Sequence, residues 1–154
     1  KTDVKNTSDN PDLIIVAYDK ELTYQKLETA CELINRGVPY YLSHIDIFCP
    51  TLKGNMPDCG AIGILIEKTT GKKSINNFGK PSDLMADYIS NILHKEINKT
   101  VVGDRIHTDI ELGKKLGADT VLVCSGEYQP STDKNHSIKD TQIFNTLTDY
   151  LITV

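Results

Sequence analysis

A chain of 154 residues, 39% of them apolar, can bury one sizeable core or two small lobes. Its net charge of −4 comes from interspersed acidic and basic residues, so no basic face for nucleic acid is evident, although a local positive pocket would still suit an anionic substrate. No apolar run approaches the length of a membrane span, and KTDVKNTSDNPD is polar where a signal peptide would be apolar, so a cytoplasmic protein without membrane contact is expected.

In chain order, residues 1–11 read as a disordered tail or linker ending at Pro11. DLIIVAY reads as a buried strand. A helical stripe of Leu22, Tyr24, Leu27, Cys31 and Ile34 follows, stopped by Gly37, and PYYLS completes a β-α-β unit. HIDIFCPTLKGNMPDCG is rich in breakers and predicts a long loop, functional or poorly ordered. GAIGILIEKTTG predicts a helix whose glycines pack closely against a neighbour. An extended stretch around 74–78 leads into GKPSDLMADYISNILHKE, a helix with Pro81 at its first position and Leu84, Tyr88, Ile92 and Leu93 facing inward. Cys31, Cys49, Cys59 and Cys124 form no C-x-x-C pair and read as free thiols in a reducing compartment.

The segment VVGDRIHTDIELGKKLGADTVLVCSG, 101–126, carries the densest signal. Thr100 to Val102 form a β-branched run ended by Gly103, so Asp104 falls just past a strand's carboxyl end. Thr108 suits the N-cap of a short helix, Asp109 its first turn and Gly117 its C′ position. Thr120 to Cys124 is again apolar, which makes the unit strand, helix, strand, with ligands expected outside the strands' carboxyl ends. Two carboxylates placed this way suit Mg²⁺, which takes one or two protein carboxylates together with substrate phosphate oxygens. An Asp after a strand also serves as a plain turn residue or cap. Lys80 stands at a helix start, where partial positive charge attracts anions, and is compatible with a phosphate contact or with simple solvation.

Together, GKPS at 79–82, VVGDRIHTDI at 101–110 and GADTVLVCSG at 117–126 resemble the third and fourth motifs of the haloacid dehalogenase superfamily. Within it the likeness is to phosphatases with a large α/β cap, the 4-nitrophenylphosphatase and phosphoglycolate phosphatase group. LIIVAYDKELTYQKLETACELINRGVPYYLSHID resembles part of that cap. The resemblance implies an α/β fold, a Rossmann-like parallel sheet with part of a cap, divided as 12–76 from the cap and 77–154 from the core. It also implies a two-step phosphatase acting on a small phosphorylated metabolite, in which an aspartate takes the phosphoryl group and water then releases it. Lys80 would be the family's lysine and Asp104 a direct Mg²⁺ ligand. Asp109 would serve catalysis and the metal, through a metal-bound water or by fixing the site. His44 and Asp46, standing where relatives carry Thr-Asn-x-Asp, would touch the substrate, and His44 is equally compatible with satisfying a loop carbonyl.

The sequence departs from the family in lacking Asp-x-Asp-Gly on an apolar strand, the source of nucleophile and general acid: Asp3, Asp9 and Asp12 lie in or just after the polar tail. The chain therefore resembles the C-terminal half of such an enzyme. Two expectations follow. Either an N-terminal half or companion chain supplies the nucleophile, or the chain is a non-catalytic binding or regulatory module. A homo-oligomer would be a further way to cover the open apolar edge of the TVV strand. A receiver-type signalling domain is also acidic and binds Mg²⁺, but Gly-Lys-Pro and the cap segment speak against it.

Overall fold

The computed structural model describes residues 10–93, 98–131 and 138–154. The expected tail therefore falls almost wholly outside the described residues. The chain divides into two compact units, the first ending at Gly79 and the second beginning at Lys80.

In the first unit, β1 (Ile14–Val16) is followed by α1 (Tyr24–Asn35) and β2 (Tyr40–Leu42), and the two strands pair in parallel, Ile15 opposite Tyr41. Residues 75–78 run beside β2. Ile75 N–H donates to the Tyr40 carbonyl and Phe78 N–H to that of Leu42, so the weak extended stretch of the sequence continues this layer. The stretch expected to be a long loop is instead a hairpin of β3 (Phe48–Thr51) and β4 (Gly54–Pro57). Its breakers sit where a hairpin tolerates them: Thr51 Oγ1 donates to the Gly54 carbonyl across the turn at 2.6 Å, and Leu52 and Lys53 occupy the tip.

α2 (Cys59–Thr70) starts on the Asp58 side chain, which accepts the Cys59 N–H, and covers the β1–β2 layer. Val16, Ile34, Tyr40, Leu42, Cys59, Ile62 and Ile66 make the buried core, with Leu27 and Cys31 packed against it. Of the stripe read for α1, Leu27, Cys31 and Ile34 turn inward, whereas Leu22 and Tyr24 are exposed. The close packing read from the glycines of α2 is present. A Cβ at Gly63 would press on the Leu42 side chain, and one at Gly60 would run into the backbone carbonyls of Ile45 and Asp46.

The second unit opens with α3 (Asp83–Ile92), continues with β5 (Thr100–Gly103), a π-helical turn (Ile106–Ile110) and α4 (Glu111–Lys115), and ends with β6 (Asp119–Val123), β7 (Thr141–Phe144) and α5 (Leu147–Leu151). The strands form a parallel sheet in the order β5-β6-β7. Ala86, Leu112 and Leu116 pack with Val101, and Ile110 and Leu122 pack with Tyr128.

Three local readings are corrected here. Pro81 is not the first residue of α3, because Ser82 caps the helix by accepting the Met85 N–H at 3.1 Å. The inward face of α3 is Met85, Ala86 and Ile89; Leu84, Tyr88, Ile92 and Leu93 are exposed. The helix is apolar on more than one side, and the small Ala86, rather than the bulkier stripe, meets Leu112 and Leu116. Thr108 is not an N-cap, since the helical backbone begins at Ile106 and Thr108 lies buried inside the π turn. Gly117 does occupy the left-handed conformation expected after a helix, at φ 59°.

Candidate functional site

The chemistry-bearing side chains of the second unit meet at the carboxyl end of β5. Asp109 is the centre. Its Oδ2 accepts the N–H groups of Asp104 (3.2 Å) and Arg105 (3.1 Å), and its Oδ1 receives Lys80 Nζ at 2.6 Å. The N–H groups that lead into the π turn are thus held by a carboxylate from inside it, and no side chain caps the turn itself. The Asp109 side chain is 8% exposed and that of Lys80 is 51% exposed, so the carboxylate is fixed while the ammonium faces outward.

Asp104 is oriented separately. Its Oδ2 accepts the Glu127 N–H at 2.7 Å, and its carbonyl accepts the Tyr128 N–H at 3.0 Å, tying the loop after β6 to the end of β5. Arg105 Nε and Glu127 Oε2 add an ion pair at 2.6 Å to the same junction. Two glycines make room: a Cβ at Gly103 would strike the Asp109 carboxylate, and one at Gly126 would strike that of Asp104. Gly126, Glu127 and the pairing of Arg105 are contributions that sequence reasoning missed. The glycine after the β6 run was visible, but its role depends on where the Asp104 side chain turns.

The donor set fits Mg²⁺. Among the described residues Asp104 Oδ1 accepts no hydrogen bond, and Lys80 neutralises Asp109 rather than Asp104, so one oxygen of an unneutralised carboxylate is left for a hard cation. Both oxygens of Asp109 are already engaged by Lys80 and the backbone, which makes it the residue that holds the others in position.

In the first unit, His44 and Asp46 lie in the turn after β2. His44 Nδ1 stands 2.8 Å from Ser43 Oγ, and its Nε2 stands 2.8 Å from Oδ1 of Asp58, the capping residue of α2. Asp46 joins them, one donor atom of each of the three lying within 4.8 Å of the others. Asp58 was not among the expected site residues. Its signal was the sequence position just before an apolar helical run, which reads equally as an ordinary cap.

Residues 77–150 match the family model described as HAD-hydrolase-like. The 5′-nucleotidase YutF of Bacillus subtilis is 28% identical over 93% of this chain and 56% of its own length. Dihydroxyacetone phosphatase of Corynebacterium glutamicum is 28% identical over 93% of this chain and 52% of its own. Among solved structures, a 4-nitrophenylphosphatase from Thermotoga maritima superposes with a TM-score of 0.86 at 38% identity, covering 95% of this chain and 56% of that one. The fold and the motif residues are thus similar to those of haloacid dehalogenase-like hydrolases. Within that class the chain resembles the 4-nitrophenylphosphatase group, and it spans about half the length of the curated relatives it matches.

Among the described residues, no helix is long and apolar enough to cross a membrane. The cysteines are free thiols, and Cys59 is buried, donating to the Val16 carbonyl at 3.2 Å.

Proposed function

We propose that the chain is the C-terminal half of a Mg²⁺-dependent phosphatase that hydrolyses small phosphate monoesters through an aspartyl-phosphate, with the nucleophilic aspartate supplied by a segment or companion chain outside these 154 residues. The observation that carries the reading is the network at the end of β5: Lys80 and Asp109 are paired, while one Asp104 oxygen stays available beside them. Several relatives, among them dihydroxyacetone phosphatase and the 4-nitrophenylphosphatase, are phosphatases by name, which supports the reaction class.

In this reading Lys80 binds a phosphoryl oxygen and offsets its charge, and Asp109 holds the ammonium at the right height over the strand end. Asp104 would hold Mg²⁺, which when bound neutralises charge on the transferring phosphoryl group. The Gly103 and Gly126 clearances keep both carboxylates over the strand ends, so little reorganisation accompanies the reaction. The phosphoryl group passes to the external aspartate as the alcohol leaves, and water then attacks the acyl phosphate to release inorganic phosphate and regenerate the carboxylate. His44 and Asp46 would belong to the cap surface that selects the leaving group.

The test is hydrolysis of an aryl phosphate with the complementary half supplied. Activity should require Mg²⁺ and fall on the order of 10³-fold in Asp104→Ala, the loss of several kcal/mol of charge stabilisation. The 154-residue chain alone should turn over at background. Undiminished hydrolysis in EDTA, or robust turnover by the chain alone, would remove the mechanism.

A further inference from the structure

The first unit contains a mixed donor cluster for which a leaving-group contact leaves much of the geometry unexplained. His44, Asp46 and Asp58 converge from two elements, the turn after β2 and the start of α2, and each offers an atom within 4.8 Å of the other two. The cluster contains an imidazole, and two of its members are held by contacts of their own side chains. Ser43 Oγ lies against His44 Nδ1, and Asp58 Oδ1 accepts the Cys59 N–H at 2.6 Å. The Asp46 carbonyl accepts the Gly60 N–H at 2.8 Å, and the bare Cα of Gly60 lets α2 approach the turn. Gly79 lies against His44 in the same way, since a Cβ there would meet the His44 Cβ.

Donors held by partners of their own, as His44 and Asp58 are here, are what metal ligands show. Without a cation the 2.8 Å contact fits Nε2–H donating to Asp58 Oδ1; with Nδ1–H turned to Ser43 Oγ, Nε2 offers its lone pair to a cation beside the same oxygen. Bonds of about 2.0–2.2 Å from a metal to nitrogen and oxygen put neighbouring donors roughly 3 Å apart, so the pair needs to open only slightly.

We propose that His44, Asp46 and Asp58 bind one divalent transition cation of the Zn²⁺ or Mn²⁺ kind. One imidazole nitrogen and two carboxylate oxygens favour such ions over Mg²⁺, which prefers an all-oxygen shell. Three protein ligands leave coordination positions for water or an anionic group. The proposal does not depend on the phosphatase reading, because it concerns only residues of the first unit and is read by binding.

The test titrates the full chain with Zn²⁺ and with Mn²⁺ by calorimetry in excess Mg²⁺, in the wild type and in Asp104→Asn, which silences the other unit's carboxylate. Mn²⁺ guards against capture by thiols, which favour softer ions. One equivalent of each ion should bind in both proteins. His44→Ala and Asp58→Asn should weaken binding on the order of 100-fold, and Ser43→Ala about 10-fold through loss of the Nδ1 partner. Asp58→Asn keeps a residue able to cap α2, and circular dichroism checks that each variant is folded. No binding by the wild type, equal binding by folded His44→Ala and Asp58→Asn, or binding lost in Asp104→Asn would each overturn the proposal. An imidazolium–carboxylate pair without metal is the reading that would replace it. Failure of the phosphatase reading shows elsewhere, as aryl-phosphate turnover that ignores EDTA.

Discussion

Each unit holds a buried carboxylate at a strand or helix end, and the two are paired with different side chains. In the second unit Asp109 meets Lys80, and in the first Asp58 meets His44. An ammonium has only donors, so it can accompany a phosphate but cannot ligate a cation, whereas an imidazole can do either according to its proton. The glycines differ as well. Gly103 and Gly126 clear space for side-chain carboxylates, while Gly60 clears space for backbone carbonyls. The second unit thus clears its backbone for side chains, and the first for a turn of main chain.

That contrast gives the largest expected effects. Gly60→Ala forces a methyl group against the Ile45 and Asp46 carbonyls, which cannot yield without moving the turn, and should cost about 3 kcal/mol or more. Gly126→Ala meets the Asp104 side chain, whose carboxylate can turn although its Cβ cannot, so about 1–2 kcal/mol is expected, less than at Gly60. Because Asp104 must leave the Glu127 N–H to make room, Mg²⁺ affinity should fall more than stability does. Chemical denaturation of both variants, with Mg²⁺ titration of the second, separates the cases. Equal destabilisation by the two would erase the distinction between a rigid and a movable neighbour.

Next in size is Asp109→Ala. It leaves Lys80 without its carboxylate and strips the Asp104 and Arg105 N–H groups of their acceptor, which should destabilise the second unit by about 1–3 kcal/mol. Asp109→Asn keeps one acceptor oxygen for the backbone and should recover part of that loss. If Asn is no better than Ala, the backbone bonds contribute little and the Lys80 pair dominates.

How much of this was legible in the sequence depends on the range of the interaction. The parallel β-α-β units were readable because β1, β2, β5 and β6 are short apolar runs separated by helical stripes, a signal confined to neighbouring residues. Asp104, Asp109 and Lys80 stood out through the motif spacing of Gly-Lys-Pro and Gly-Asp-Arg-x-x-Thr-Asp. What stayed hidden depends on distant partners. The face of α3 was misread because Ala86 packs on Leu112 and Leu116, some thirty positions away. Thr108 read as a cap because nothing local says that Asp109 folds back onto the N–H groups of Asp104 and Arg105. The β3–β4 hairpin was masked by Pro50 and Pro57, which break an alternating pattern yet sit in a two-stranded ribbon, where a missing donor costs little. Asp58 was legible as a cap, but its nearness to His44 depends on how α2 docks on the turn after β2.

A smaller effect is expected at Tyr40, whose hydroxyl donates to the Lys72 carbonyl at 2.9 Å while its ring is buried. Burial, with the nearby Glu67 charge second, raises its pKa above the ordinary phenol value, so the folded state holds the neutral form. A raised acid contributes stability that is present below the unfolded pKa and lost as pH rises past about 10. Tyr40→Phe should cost about 1 kcal/mol at neutral pH. It should also flatten the alkaline limb of a stability–pH curve, and an unchanged alkaline limb would assign that loss to other groups.

The smallest effect lies at Asp19, on the exposed loop after β1. Lys26 Nζ donates to Oδ2 at 2.7 Å and Glu21 N–H to Oδ1 at 2.7 Å. The Lys26 hydrogen bond, then the Glu21 N–H, lowers the carboxyl pKa. A lowered acid stabilises the fold above its unfolded value, near pH 4, and that contribution disappears as pH falls through the folded value. Asp19→Asn should therefore differ slightly from wild type at neutral pH and converge with it in acid. Because the pair is solvated, added salt should narrow the neutral-pH difference as well. Thermal melts at pH 7 and pH 3, with and without about 0.5 M salt, provide the comparison. A difference that persists in acid would mean that the Asp19 side chain stabilises the loop through its shape and the Glu21 N–H bond rather than its charge.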